Sequence, residues 1–172
     1  HNISVLIFTP MAALFFFFWL MRKKDKLQII KVAILGALWA VAVGAFFFLP
    51  VILEKQFAHT ETLLYGYFNY LAHFVSIKQL FTPFWGYGSS EIGPTDDLGF
   101  SPGIVHLFLA LVALVLALKN LKNRKDGNTG FVFISLFLVG ASLFMTHARS
   151  TFIWKLIPTL DYLQFPWRFF EI

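Results

Sequence analysis

The chain has 172 residues, of which 58% are apolar and 13% charged, with 23 Phe and no Cys. This composition leaves too little polar surface to cover a soluble domain in water, so it predicts an integral membrane protein. Without Cys there are no disulfides, no thiol catalysis and no thiolate metal sites.

Four apolar runs predict an all-α fold, a multi-spanning bundle of transmembrane helices. Residues 3–21 and 32–53 form runs of 19 and 22 residues without a charge. At about 1.5 Å per residue, both are long enough to cross a hydrocarbon core about 30 Å thick. Residues 103–118 and 130–146 form shorter runs of 16 and 17 residues. They span the membrane if the Lys119 side chain extends to the interface.

The basic residues predict the orientation of these helices. Two short segments, 22–31 and 119–129, hold nine of the 14 Lys and Arg residues. By the positive-inside rule both segments are cytoplasmic, so residues 54–101 form a long loop outside the membrane. The net charge of +5 is therefore a topology signal that also meets anionic lipid, and it does not indicate nucleic-acid binding.

The acidic and His residues point to the same outer side. All five His and seven of the nine acidic residues lie in the outer segments or near the outer helix ends. Exclusion of charge from hydrocarbon explains why the spans lack these residues, but it does not explain the asymmetry. Any chemistry is therefore predicted to be extracytoplasmic.

The first part of the outer loop, residues 62–76, has the periodicity of an amphipathic helix. We expect this helix to lie in the membrane interface with Phe68 and Leu71 toward the acyl chains. It is either a cover packed on the helix ends or one wall of a groove for a lipid substrate. The polar side chains predicted to face outward are Tyr65, Asn69 and His73.

The rest of the outer loop is predicted to be irregular, because residues 82–103 include five Gly and three Pro. Trp85 and Tyr87 suit either the membrane interface or stacking on a sugar ring, as further parts of a groove wall. Carboxylates in this loop are a candidate acid or a site for Mg²⁺ or Mn²⁺, and the alternative is a solvated turn. These carboxylates are Glu91, Asp96 and Asp97.

The end of the chain carries candidate contacts for a lipid phosphate. Arg149 and Lys155 lie in the second outer segment, and Arg168 lies inside the apolar run 166–172, which resembles the start of a fifth span. Arg presents a planar fork of donors that matches phosphate. Within lipid its charge costs about 2.5 to 3.5 kcal/mol at mid-membrane, so Arg168 is expected to pair with Glu171 or with an anionic ligand.

Several segments resemble a known family. They are His1-Asn2 at the first aromatic run, Phe48-Leu49-Pro50, Phe84-Trp85-Gly86-Tyr87-Gly88 with Gly93-Pro94 and Asp96, and Leu163-Gln164-Phe165-Pro166-Trp167-Arg168-Phe169. The chain resembles the membrane domain called 6-pyruvoyl-tetrahydropterin synthase-related, and it is similar to the type C glycosyltransferases of bacterial and archaeal membranes. The family name does not describe the activity, because the β-rich pattern and zinc-ligand spacing of the soluble synthase are missing here.

The resemblance implies transfer of a sugar from a polyprenyl-phosphate carrier to an acceptor at the outer face of the cell membrane, in envelope glycan assembly. Such enzymes place a catalytic acid in the first outer loop, which would precede His1. We therefore expect the sequence to be a fragment of a longer chain, and no catalytic residue is carried over. Two alternatives stay open, namely a segment of a transporter or flippase and a non-catalytic membrane scaffold.

Overall fold

The structure, a computed structural model, describes residues 2–93, 96–122 and 127–171. Every regular element in these ranges is helical, which confirms the all-α prediction. Short 3₁₀ turns connect six α-helices. The α-helices are α1 (Asn2–Leu20), α2 (Lys26–Glu54), α3 (Ile77–Phe81), α4 (Ile104–Lys119), α5 (Gly127–Thr146) and α6 (Thr151–Leu156).

Among the described residues, two helices are long and apolar enough to cross a membrane, α2 with its extension to Phe57 and α5 from Asn128 onward. Their apolar faces are exposed, and α2 has no buried residue. The other two predicted spans also form apolar helices, at Ser4–Leu20 and Ile104–Lys119, but these are shorter. The structure therefore gives two candidate membrane-spanning helices where the sequence predicts four spans.

The chain forms two compact units, and one of them comprises residues 9–62 with most of α1 and all of α2. In this unit the basic segment after α1 folds back over the aromatic end of that helix. The guanidinium carbon of Arg22 lies 3.8 Å from the ring centre of Phe18, and Nζ of Lys23 lies 4.6 Å from that of Trp19. The charged groups of both residues thus lie over aromatic rings at the end of α1, as in cation–π contacts.

The other unit comprises residues 1–8 and 63–172, and its main core is aromatic. Trp154 is fully buried, stacks on Tyr70 with ring centres 4.8 Å apart, and donates from Nε1 to Oγ of Ser150 at 3.2 Å. Leu160 and Leu163 complete this core. The polar tip of Trp154 is hydrogen-bonded, as burial of an indole N–H requires.

A second core of this unit connects residues 75–100 to α5. Val75, Leu80 and Phe100 are buried together, and Leu143 of α5 packs against them. The backbone N–H of Val75 donates to the carbonyl oxygen of Thr146 at 2.9 Å. The segment around Val75 is therefore anchored on the end of α5, which also packs against α4 and against the 3₁₀ turn Pro166–Glu171.

The predicted amphipathic helix at 62–76 is wrong. This stretch forms three separate 3₁₀ turns, Thr60–Leu64, Gly66–Phe68 and Tyr70–Ala72. Gly66 has a φ of +61°, and the Asn69 side chain accepts a hydrogen bond from the N–H of Leu71 at 3.0 Å. Both features interrupt a helix, because positive φ is non-helical and the Asn side chain competes for the backbone donor.

The predicted long loop and fifth span also need correction. Residues 54–101 are not one continuous loop, because they hold four 3₁₀ turns and helix α3. The run that begins at Pro166 forms a 3₁₀ turn against α5 and shows no α-helical start of a span within the described residues. A hydrophobic run of this length is compatible with tertiary packing as well as with membrane insertion, and within the described residues it packs against α5.

Candidate functional site

The site begins with a capping box at the start of α3. Oγ of Ser76 accepts from the N–H of Gln79 at 3.3 Å, and Oε1 of Gln79 accepts from the N–H of Ser76 at 2.9 Å. These reciprocal bonds satisfy two backbone donors at the helix start. They also orient the Gln79 amide, so its Nε2 is available to a partner outside the helix.

That partner is Asp96, whose carboxylate is surrounded by donors. Oδ2 accepts from Nε2 of Gln79 at 2.7 Å, and Oδ1 accepts from the N–H of Glu91 at 2.7 Å and from Oγ of Ser90 at 3.3 Å. A carboxylate has about four lone-pair sites, so these three donors occupy most of its accepting capacity. Asp96 is half-buried, and its neighbour Asp97 is exposed.

His73 lies behind Asp96 and is only 2% exposed. Its Nδ1 is 2.9 Å from Oγ of Ser90, and its Nε2 is 2.5 Å from the carbonyl oxygen of Tyr67. The ring packs edge-on against the rings of Tyr67 and Phe165, at 4.9 and 4.7 Å. The prediction that His73 faces outward is therefore wrong, because two internal hydrogen bonds and two aromatic rings enclose it.

A cavity of about 400 Å³ opens beside Asp96. Its lining combines polar and charged side chains with aromatic and aliphatic ones. A mixed lining of this kind, at a volume typical of small-molecule pockets, suits a ligand with both hydroxyl groups and apolar faces. We call this space the loop cavity. It is lined by Ser76, Lys78, Gln79, Thr82, Phe84, Asp96, Leu98 and Phe100.

Glycines allow two segments of the loop to lie in direct contact behind the loop cavity. A Cβ atom at Gly86 would overlap the carbonyl oxygen of Asp97, and one at Gly99 would overlap the carbonyl oxygen of Phe84. Only glycine permits such backbone approach. From this close-packed pair of segments Trp85 and Tyr87 project with 89% and 94% exposure, so both are accessible as predicted for a groove wall or an interface anchor.

The other predicted groove residues have different surroundings. Tyr65 is exposed, and Asn69 is half-buried with its side chain in the cap of the turn Tyr70–Ala72. Neither lines the loop cavity, whose polar side chains come from α3, the residues that cap it and Asp96. Whether they form part of a groove in the membrane stays a prediction.

The predicted phosphate contacts divide into two kinds. Arg149 and Lys155 are exposed. Arg168 is half-buried, donates from Nη1 to the carbonyl oxygen of Leu163 at 2.8 Å, and lies over the ring of Phe165 at 5.1 Å. The side chain of Glu171, its predicted partner, lies outside the described residues.

The carbonyl that binds Arg168 belongs to a strained turn. Gln164 has a φ of +63° and a ψ of −43°, and the N–H of Phe165 donates back to the Leu163 carbonyl oxygen at 2.6 Å. This is a γ-turn, which costs about 1 to 3 kcal/mol outside glycine. The Gln164 side chain donates from Nε2 to the carbonyl oxygen of Leu63 at 3.0 Å, and so ties the turn to a segment about 100 residues earlier.

The carboxylates do not form a metal site. Glu91 contributes only its backbone N–H to Asp96, and its side chain is exposed, as is Asp97. In the described part of the chain no three His, Cys, Asp or Glu side chains lie together as metal ligands. The groups around Asp96 are hydrogen-bond donors, which occupy the lone pairs that Mg²⁺ or Mn²⁺ would need. These residues therefore do not fit a divalent cation.

A separate pair of titratable groups lies at the aromatic core. Burial raises the pKa of the Asp161 carboxyl above its usual value, since desolvation disfavours the charged form. Burial also raises the pKa of the Tyr70 phenol, and the negative charge of Asp161 adds to this effect. Both shifts favour the protonated, uncharged forms of Tyr70 and Asp161 next to the aromatic core. This pair is therefore better suited to a structural role than to acting as a base.

Sequence reasoning identified Asp96 as a candidate but missed the residues that hold it. The capping box at Ser76 and Gln79 is visible as the pattern Ser-Ile-Lys-Gln, which could have indicated the start of α3. No sequence pattern brings His73 to Ser90, because Ser90 follows His73 by 17 positions, with helix α3 and a Gly- and Pro-rich segment between them.

Comparison with known proteins adds no family to these observations. No match to this chain is found among protein-family models, curated proteins or solved structures.

Proposed function

We propose that this chain is part of a multi-pass membrane protein of type C glycosyltransferase-like architecture. In this proposal it acts on a polyprenyl-phosphate-linked sugar at the outer face of a bacterial or archaeal cell membrane, in envelope glycan assembly. The observation that carries the proposal is the loop cavity, whose lining combines aromatic and aliphatic side chains with the Asp96 carboxylate, of whose roughly four accepting sites three are occupied and one is open. Carboxylates accept from sugar hydroxyls, and apolar side chains pack on the C–H face of the ring.

The apolar helices support the membrane part of the proposal. We propose that α1, α2, α4 and α5 all cross the bilayer. The 16 residues of α4 are about 24 Å long, so this helix spans with Lys119 extended toward the headgroups or with local thinning of the bilayer. The basic segments that follow α1 and α4 then lie on the cytoplasmic side, and the loop cavity lies outside.

One cation at the cavity and two exposed cations elsewhere in the same unit support a phosphorylated lipid as the ligand. Lys78 lines the loop cavity, and Arg149 and Lys155 are exposed cations of the same compact unit. In the proposed reaction these cations neutralise the carrier phosphate as it leaves, and Asp96 accepts the proton of the acceptor hydroxyl. Because Arg168 binds a backbone carbonyl, we assign it to the fold and not to the phosphate.

A matched pair of variants in the full-length protein tests the role of Asp96. Asp96→Asn keeps the shape but removes the charge inside the loop cavity, whereas Asp97→Asn removes an exposed charge one residue away. Membranes carrying each variant are exposed to a photoreactive polyprenyl-phosphate hexose, and the covalently labelled protein is quantified. We expect Asp96→Asn to lose at least about ten-fold of the labelling, corresponding to about 1.4 kcal/mol, and Asp97→Asn to keep it.

Equal labelling of both variants at wild-type level would refute a sugar site at Asp96. Loss of labelling in both, with normal protein abundance, would show that the charge of the whole loop matters and not the loop cavity. Labelling that survives competition by free polyprenyl phosphate, but not by the sugar-bearing lipid, would confirm that the hexose itself is bound.

The orientation is tested with single cysteines, since the chain has none of its own. A cysteine at Ser89, in the proposed outer segment, should react with an impermeant maleimide in intact cells. A cysteine at Asn123, in the proposed cytoplasmic segment, should react only after the cells are lysed. The opposite labelling pattern would place the loop cavity on the cytoplasmic side and would contradict the proposal.

A further inference from the structure

The hydrogen bonds behind the loop cavity constrain where protons lie. The carbonyl oxygen of Tyr67 can only accept, so Nε2 of His73, which is 2.5 Å away, must carry a hydrogen. The remaining ring nitrogen, Nδ1, faces Oγ of Ser90 at 2.9 Å. The Ser90 hydroxyl is also 3.3 Å from Oδ1 of Asp96, and it has a single hydrogen to donate.

Two arrangements satisfy both contacts of Ser90. In the first, His73 carries a second hydrogen on Nδ1 and donates it to Ser90, and Ser90 donates to an ionised Asp96. In the second, a protonated Asp96 donates to Ser90, and Ser90 donates to Nδ1 of a neutral His73. These arrangements contain the same number of protons and the same heavy-atom positions. A neutral His73 together with an ionised Asp96 lacks one proton, because Ser90 then satisfies only one of its two neighbours.

The geometry points to a proton relay from Asp96 through Ser90 to His73. A proton that reaches Oδ1 of Asp96 passes to Oγ of Ser90 while the Ser90 hydroxyl proton passes to Nδ1 of His73. One O–H bond of Asp96 breaks, one N–H bond of His73 forms, and Ser90 exchanges one proton for another. No electron is transferred, and no heavy atom needs to move.

The order of the three residues distinguishes this relay from a nucleophilic triad. In a hydrolase triad the histidine lies between the serine and the acid. Here the serine lies between the other two, and Ser90 is only 4% exposed, so no substrate carbon reaches its oxygen. Asp96 alone of the three lines the loop cavity, so ligand protons enter the relay there.

Few ionisable groups contact the three residues of the relay. Tyr67 faces His73 with its ring and donates its hydroxyl hydrogen to the Ser90 carbonyl oxygen at 2.7 Å. From α3, Gln79 donates to Asp96, and Lys78 lines the loop cavity beside it. Phe165 closes the other side of the imidazole with an uncharged ring.

In catalysis the relay would let Asp96 act as a base and return to its ionised form, with the proton stored on His73 away from the ligand. This use of the relay rests on the proposed function, since it needs an acceptor hydroxyl in the loop cavity. The sharing of a proton among Asp96, Ser90 and His73 does not rest on the proposed function. The test therefore follows the protonation of His73 and Asp96 and not the sugar reaction.

Nuclear magnetic resonance of the full chain in lipid nanodiscs tests the relay. The ¹⁵N signals of the His73 ring, assigned by their loss in His73→Gln, and the side-chain ¹³C signal of Asp96, assigned by its loss in Asp96→Asn, are followed against pH. In the wild type both signals should change at the same pH values, because protons leave a coupled pair in macroscopic steps that belong to both groups. In Ser90→Ala the two midpoints should separate by at least about one pH unit.

Control variants keep this test decisive. Ser89→Ala and Asp97→Asn change exposed neighbours and should leave the common midpoint unaltered. If Ser90→Ala does not fold, Asp96→Asn provides the second test, since His73 should then titrate with a midpoint different from that of the wild type.

Separate midpoints for His73 and Asp96 in the wild type would overturn the relay. So would a His73 titration that is the same in the wild type and in Asp96→Asn. A coupled midpoint combined with wild-type sugar labelling of Asp96→Asn would instead keep the relay and refute the proposed function, so the two failures are distinguishable.

Discussion

Helix α2 and the segment around His73 are both rich in apolar and aromatic residues, but different interactions fix their conformations. Helix α2 extends for 29 residues without a buried side chain, and Trp39 in its middle is 74% exposed. His73 is buried, and its partners come from Tyr67, Ser90 and Phe165. The backbone of α2 is satisfied within the helix itself, which suits a lipid environment, whereas the other segment depends on contacts between distant residues.

The largest expected effect comes from the aromatic core. Trp154→Ala removes a fully buried indole that stacks on Tyr70 and donates to Ser150, and we expect it to lower the free energy of unfolding by about 3 to 5 kcal/mol. The measurement is denaturant unfolding of the purified chain in mild detergent. The matched control is Trp39→Ala in α2, where the lost side chain is exposed and the change should stay within about 0.5 kcal/mol.

An equally large loss of unfolding free energy in Trp39→Ala would contradict the difference drawn between α2 and the aromatic core. It would mean that α2 is packed against a partner through Trp39, and not exposed to lipid.

The second prediction sharpens the membrane assignment of α2. Leu38→Arg places a charge near the middle of this helix, where an apolar environment disfavours it by about 2.5 to 3.5 kcal/mol. We expect the fraction of chain that integrates into membranes to fall, as measured by resistance to carbonate extraction. Leu38→Ala, which removes bulk but adds no charge, should integrate normally. Unchanged integration of the Arg variant would exclude α2 from the lipid-facing spans.

The third prediction concerns the γ-turn at Gln164. Arg168→Ala deletes the charge-assisted hydrogen bond to the Leu163 carbonyl, which should lower the free energy of unfolding by about 1.5 to 3 kcal/mol. Arg168→Lys should recover part of this loss, because one ammonium hydrogen can replace one guanidinium hydrogen. Arg149→Ala, at an exposed cation, is the control.

A stable Arg168→Ala chain that loses labelling by the photoreactive lipid would return Arg168 to the phosphate site. Loss of stability with labelling retained per folded molecule would support the role in the fold.

The smallest effect is a pH dependence from the aromatic core. Because the folded-state pKa of Asp161 is raised, its protonated form is favoured by folding, and its contribution to stability is present below the unfolded pKa near 3.8. This contribution is lost as the pH rises through the folded-state pKa. Asp161→Asn should therefore be more stable than the wild type at pH 7, and the difference should shrink toward pH 4. Thermal unfolding at both pH values measures it, and a gain that is equal at both would contradict the assigned cause.

The sequence by itself determined the helical class and the positions of the apolar helices. Long uncharged runs predict helices because a backbone in an apolar environment must satisfy its own hydrogen bonds, and this requirement is local to each segment. Helices α2 and α5 accordingly match the predicted runs 32–53 and 130–146 closely. The composition of the loop also indicated Asp96, Trp85 and Tyr87 as residues of interest, since Gly and Pro around them exclude regular structure.

Only the tertiary structure decided how the polar residues are used. Periodicity placed His73 on an outward face, but the turns at Gly66 and Asn69 rotate it into the interior, where Ser90 and Tyr67 bind it. Adjacent carboxylates suggested a metal, but only Asp96 receives side-chain and backbone donors, from Gln79, Ser90 and Glu91, and these occupy three of its roughly four accepting sites. Arg168 binds a carbonyl five residues back. Each of these outcomes depends on which donors and acceptors become hydrogen-bond partners in the folded chain. The order of residue types along the sequence does not specify those partners.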